Sequence, residues 1–151
     1  TMTSTTILHV PYKGGAPAMI ALLGGQVQLL FSPVATSLGH IQTGKLRAIA
    51  MTGSNRFELL PDVPTMAQSG VPGYEVNNWL GVFAPAGTPG AIVNRLQAEL
   101  VKVLQTAEVR SKLLASGLEP TWLTPDQFST YIKSETVKWG KVVRDSGATA
   151  D

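Results

Sequence analysis

Two hydrophobic rhythms alternate along the first third of this chain. Short apolar runs at Ile7–Pro11, Val27–Phe31 and Leu46–Met51 are separated by stretches of helical spacing, one running from Pro17 to Leu23 and one from Val34 to Thr43. Brief apolar runs bounded by turn residues read as buried strands, and the longer stretches between them read as helices. Pro17 suits a first helical turn, where its missing N–H costs nothing, and Gly24-Gly25 suits a C-terminal cap. The predicted order is βαβαβ, which favours a parallel sheet with right-handed crossovers.

The alternation breaks after Thr52. Turn residues dominate as far as Gly73, with Leu60-Pro61-Asp62-Val63-Pro64 as the strongest punctuation and a short helix expected over Thr65–Ser69. Tyr74–Ala84 reads as extended. Beyond it Pro85-Ala86-Gly87-Thr88-Pro89 leads into a helix that Thr88 is placed to cap. Ile92, Val93, Leu96, Leu100, Val103 and Leu104 recur there at helical spacing, so one face is expected to be buried. A shorter helix over Val109–Ser116, a strand over Glu119–Leu123 and a last helix complete the chain. Thr124 and Gln127 supply a capping box for that last helix, whose stripe is Phe128, Ile132, Trp139 and Val143. The change of rhythm divides the chain into 1–84 and 85–151, with the junction at Ala84–Pro89.

Composition narrows the classes of function. The chain has 151 residues, 44% of them hydrophobic, which is enough for a core without staples. Charged residues make up 15%, the formal charge is +2, and no basic run occurs, so nucleic acid is not expected as a partner. No apolar stretch approaches the roughly 18 to 20 residues that span a bilayer. With no cysteine, disulfides, thiolate nucleophiles and cysteine-type zinc sites are all excluded. The chain opens at Thr1 rather than at an initiator methionine, and it is read as a piece of a longer protein.

The turn Tyr12-Lys13-Gly14-Gly15-Ala16 carries the most chemistry. A helix N-terminus presents unpaired N–H groups and the positive end of its dipole; two glycines let backbone approach a ligand, and Lys13 adds a charge. A carboxylate or phosphate is the natural guest, set against the plainer reading of a tight turn with a solvated lysine. The spacing matches neither the P-loop nor the dinucleotide fingerprint. Ser32 and Pro33 stand at the carboxyl end of the second predicted strand, where open parallel sheets bind ligands. Ser32 either donates to the same anion or caps the helix beginning near Pro33. Trp79 either walls a cleft or fills the core. His9 and His40 lack metal-ligand spacing, no G-x-S-x-G elbow is present, and no catalytic residue, metal ligand or cofactor is assigned.

Several longer motifs occur in order: His9-Val10-Pro11-Tyr12-Lys13-Gly14-Gly15-Ala16-Pro17-Ala18, Leu22-Leu23-Gly24-Gly25-Gln26-Val27, Gly44-Lys45-Leu46-Arg47-Ala48, Leu60-Pro61-Asp62-Val63-Pro64-Thr65, Phe83-Ala84-Pro85-Ala86-Gly87-Thr88-Pro89 and Lys138-Trp139-Gly140-Lys141-Val142-Val143. Together they resemble the Bug, or TctC-like, solute receptors of tripartite tricarboxylate transporters. The resemblance implies one lobe of a type II periplasmic-binding-protein-like fold, α/β with C-terminal helices, and a receptor rather than an enzyme. It implies a two-lobed receptor that closes on a di- or tricarboxylate or a related acid and hands it to membrane subunits. Residues 1–84 would then be the second, ligand-binding lobe, with the Tyr12–Ala16 loop as its pincer and Ser32, Pro33 and Trp79 nearby. Residues 85–151 would return toward a first lobe that, with an export signal, is expected upstream of Thr1. Ser32-Pro33-Val34-Ala35 departs from the family pattern, in which an acidic or amide residue commonly follows the phenylalanine, and this leaves the ligand's identity open.

The expectation from sequence is therefore a periplasmic receptor for a small organic anion, with self-association through surface left uncovered by the first lobe. Two other classes remain beside it. One is a small α/β hydrolase or transferase using Ser32 or Lys13, which would need a general base within reach. The other is a ligand-sensing interaction module.

Overall fold

The computed structural model describes residues 2–3 and 5–147. Five helices follow one another: α1 (Gly15–Leu23), α2 (Val34–Gln42), α3 (Gly90–Gln105), α4 (Ala107–Ala115) and α5 (Pro125–Ser146). The chain divides into two units, the first made of Thr1–Gly81 with Arg110–Pro120 and the second of Val82–Val109 with Thr121–Asp151.

In the first unit α1 and α2 lie where the glycine and proline punctuation placed them. The predicted strands take a different form. No backbone hydrogen bonds join residues 7–11, 27–31 and 46–50 among the described residues, and the one parallel pairing found there is the bridge between Met51 and Thr65. That bridge is held by Met51 N–H to the Pro64 carbonyl at 2.8 Å and Met66 N–H to the Met51 carbonyl at 2.9 Å. The expected strand over Glu119–Leu123 is also unformed. A parallel strand needs a neighbour about 4.8 Å away and cover on both faces. Here the side chains that would be covered are open, with Leu8 86% and Phe31 60% exposed, so burial does not draw the segments into a ladder.

The core of this unit lies instead where α2, α4 and the 51–65 segment meet. Leu38, Phe57 and Leu114 are buried together, with Val34, Met51 and Leu60 packed around them. Thr65, 2% exposed, anchors the turn expected to be a helix. Its Oγ1 accepts from the Gln68 N–H at 3.1 Å, and its carbonyl accepts from the Ser69 N–H at 2.9 Å and the Ser69 hydroxyl at 2.8 Å. These local bonds satisfy the segment as a turn, so nothing propagates a helix. Arg56 ties the loop down, donating from Nε to Gln68 Oε1 at 2.9 Å and from Nη1 to the Pro61 carbonyl at 2.8 Å.

In the second unit α3 packs on α5. The capping box is as expected: the Thr124 side chain accepts from the Gln127 N–H at 3.3 Å, and Gln127 Oε1 accepts from the Thr124 N–H at 2.9 Å. Phe83 meets Phe128 with ring centroids 5.5 Å apart at 48°. Two expectations need correction. Thr88 does not cap α3; its hydroxyl donates to the Pro85 carbonyl at 2.8 Å and Pro89 takes the cap position. The apolar stripe of α3 is not buried either, because Ile92, Leu96, Leu100 and Val103 are all exposed. The better covered side holds Val93, Gln97, Val101 and Leu104, rotated from that stripe, with Gln97 Nε2 donating to the Leu123 carbonyl at 3.3 Å.

Candidate functional site

The N-terminus of α1 is open. Its cap residue, Gly14, adopts φ 126° and ψ 176°, a region essentially restricted to glycine, and no side chain caps the helix. A Cβ placed at Gly14 or Gly15 would meet nothing within 4 Å. Space beside the first residue of the helix and its cap is thus open. Strain of this kind persists where surrounding structure demands it and concentrates at ligand clamps and turns. Lys13 and Tyr12 are exposed beside it on the chain, and Lys13 makes no hydrogen bond or ion pair among the described residues.

A cavity of about 320 Å³ lies against this turn within the first unit, lined by Gly15, Ala16, Met19, Ile20 and Thr36. Gly15 and Ala16 are the only two of the sequence-predicted residues in its lining. Tyr12, Lys13 and Gly14 lead into it along the chain. Ser32 and Pro33 reach it indirectly: the Ser32 and Thr36 hydroxyl oxygens are 2.7 Å apart, and Thr36 Oγ1 donates to the Pro33 carbonyl at 2.9 Å. Either hydroxyl can donate across the shared contact, because Ser32 Oγ also reaches the Pro33 carbonyl, at 3.3 Å. Ser37 Oγ also donates to the Pro33 carbonyl, at 3.2 Å. Ser32 is not the N-cap of α2; Pro33 is, and no side chain caps that helix. Trp79 is half-exposed and not part of the lining.

Met19, Ile20 and Thr36 were not singled out from the sequence. Their signal was periodic: Met19 and Ile20 follow Ala16 at i+3 and i+4, on one face of α1, and Thr36 follows Ser32 at i+4. Among the described residues no His, Cys, Asp and Glu cluster is able to hold a metal ion, and no helix is long and apolar enough to cross a membrane.

A family model described as the tripartite tricarboxylate transporter family receptor, TctC, matches residues 1–148. The chain belongs to this receptor family. BugT of Bordetella pertussis is 39% identical over 146 residues, covering 97% of this chain and 45% of that protein. Among solved structures, an R. palustris protein with adipate is 36% identical with a TM-score of 0.81, covering 97% of this chain and 49% of that one. MatC from Rhodopseudomonas palustris with bound malate is 35% identical with a TM-score of 0.67, covering 89% of this chain and 47% of that one. The TctC-family chain therefore spans about half the length of these relatives, and its trace follows theirs although no strand ladder forms among the described residues. Its fold is that of one lobe of a periplasmic binding protein of the TctC and Bug type.

Proposed function

We propose that this chain is the second, ligand-binding lobe of an extracytoplasmic receptor that captures a small organic carboxylate for a tripartite tricarboxylate-type transporter. The observation that carries the reading is the uncapped start of α1 behind Gly14, whose first two residues, Gly15 and Ala16, line a cavity. Free N–H groups and the helix dipole hold a carboxylate oxygen without a charged side chain. Family membership and the carboxylates in the two solved relatives support the same chemistry. The partners in this reading are a di- or tricarboxylate or related acid and the transporter's membrane subunits, and the location is the periplasm, as for family members. Residues 1–84 hold the ligand and residues 85–151 return toward the first lobe.

No general base accompanies the catalytic alternatives: Ser32 bonds only with Thr36 and the Pro33 carbonyl among the described residues. Calorimetric titration with a panel of small carboxylates tests the receptor reading, with weak binding expected when one lobe supplies half the contacts. Absence of heat with every acid, at protein and ligand concentrations that resolve millimolar binding, refutes it.

Self-association belongs to the same proposal. In the first unit Ile7, Leu8, Phe31, Ile49 and Leu80 are exposed, and in the second the outer stripe of α3 is exposed, so each unit presents apolar surface that another copy covers. Sedimentation is expected to show mass rising with concentration; a clean monomer throughout argues against it.

A further inference from the structure

The segment Val27–Phe31 narrows the self-association proposed above to one stretch of chain, and the inference rests on that reading. It lies between α1 and α2, bracketed by Gly24-Gly25 and Ser32-Pro33. None of its backbone N–H or C=O groups bonds to another protein group among the described residues. Leu29 and Phe31 are exposed as well, so backbone and side chains alike are open to a neighbour. Composition favours pairing: Gln26-Val27-Gln28-Leu29-Leu30-Phe31 holds aliphatic, aromatic and amide side chains, with no proline, glycine or charge among them.

The other strand-like runs each carry an obstacle. Ile7–Pro11 includes His9 and ends in proline, Leu46–Met51 includes Arg47, and Leu80–Phe83 is interrupted by Gly81. Proteins commonly guard a pairing-prone strand with nearby charge. Here no Asp, Glu, Lys or Arg occurs from Gly14 to Gly44. That absence matters because in-register pairing of identical segments sets every side chain against its own copy, about 4.8 Å away. A charge would always oppose a like charge, whereas glutamines and phenylalanines stack favourably on themselves.

We propose that copies of this chain assemble by pairing Val27–Phe31 with the same segment of the next copy in parallel register, each closing a ladder with its neighbour's unspent N–H and C=O groups. With the strand period of two, Val27, Leu29 and Phe31 share one face of that ladder and Gln26, Gln28 and Leu30 the other. This pairing, rather than the exposed stripe of α3, sets how the copies join. A helix has no unspent backbone along its side, and Arg95, Glu99 and Lys102 alternate with that stripe along the chain.

A single charge placed in the segment tests it on the full 151-residue chain. Leu29→Lys puts like charges about 4.8 Å apart in every pair and is expected to raise the concentration at which sedimentation shows assembly by about tenfold or more. Leu96→Lys adds the same charge to the stripe of α3 and is expected to raise it by less than about threefold. Both leucines are exposed, and circular dichroism checks that each variant keeps the parent's helix content. Because the chain has no cysteine, Leu29→Cys and Leu96→Cys each report on one position. In-register neighbours bring their position-29 Cα atoms within disulfide reach, so mild oxidation of assembled protein is expected to cross-link the first variant and not the second. An unchanged threshold for Leu29→Lys, an equal rise for Leu96→Lys, or equal cross-linking of the two cysteine variants overturns pairing through Val27–Phe31 and leaves self-association standing. A parent chain that stays monomeric at every concentration overturns both.

Discussion

Gly117, just past the end of α4, lies directly against the backbone of Ala35 in the first turn of α2. A Cβ at position 117 would overlap the Ala35 N and Cα and the Val34 carbonyl carbon, and φ is +73° besides. Two separate penalties meet at one residue. Gly117→Ala adds left-handed strain of about 1 kcal/mol to an overlap that only backbone movement relieves, typically about 1–3 kcal/mol. Denaturant titration should show a loss of about 2–4 kcal/mol relative to the parent chain, and a change below about 0.5 kcal/mol would mean that α4 and α2 do not meet this closely.

Glu135 provides a pH signature. It is 8% exposed, accepts from Trp139 Nε1 at 2.9 Å and pairs with Lys138, whose Nζ also lies 5.7 Å from the Trp139 ring. The hydrogen bond from Lys138 holds the carboxyl below its ordinary value near 4.5, burial opposes this, and the Trp139 hydrogen bond and the Lys138 charge add to the lowering. A carboxyl lowered on folding stabilises the folded state fully above its unfolded value, and the contribution disappears as pH falls through the folded value. Thermal unfolding of the parent and of Glu135→Gln should therefore differ most at neutral pH, with the gap narrowing as pH falls below the ordinary carboxyl value near 4.5. A gap that stays constant across that range contradicts an ionised Glu135 in the folded chain.

Arg110 and Glu58 also pair within the first unit, joining α4 to the loop that carries Phe57. Both side chains are nearly half-exposed, so solvent screens the pair and ordering two flexible side chains offsets part of the attraction. Arg110→Ala is expected to cost no more than about 1 kcal/mol at moderate salt and less at high salt. Phe57→Ala, one residue away from Glu58 in sequence but buried, is expected to cost about 3–5 kcal/mol. Parallel urea titrations of the two variants test the ordering, and similar losses would show the ion pair to matter more than its exposure allows.

Neighbouring glycines at the candidate site should part company when given a methyl group. Gly14→Ala is forced into a glycine-only conformation and should lose about 1–3 kcal/mol or rearrange the turn, with carboxylate affinity falling about tenfold or more. Gly15→Ala has open space and no positive φ, so stability should change by less than about 1 kcal/mol, with any change favourable. Stability and carboxylate titrations on both variants decide this; equal behaviour removes the special role given to Gly14.

The parts of the fold legible in sequence were those fixed by neighbours along the chain. The Thr124–Gln127 capping box closes within one helical turn, and Pro17 and Gly24 bracket α1 through local backbone preference. What the sequence did not show depends on residues far away in the chain. Ile7–Pro11 and Val27–Phe31 have strand-like composition, yet pairing requires neighbours and cover that composition does not specify. The period of α3 identified an apolar stripe correctly but not the direction from which α5 approaches, so the covered side came out rotated toward Gln97. At the site, the glycine turn was readable because its chemistry is that of the backbone. Thr36 was not, since its part rests on a hydroxyl bond to Ser32 that forms only once α2 has wound.

The first turn of α1 contains glycine, two alanines and a proline, with no side-chain donor among them. Whatever attraction this end exerts on negative oxygen comes from peptide groups, which every residue type supplies equally. Side-chain drift at positions 15, 16 and 18 would alter the shape of the entrance while leaving its electrical sign untouched; only another proline could delete a contribution. At an anion site built this way, charge preference and shape preference would reside in separate atoms.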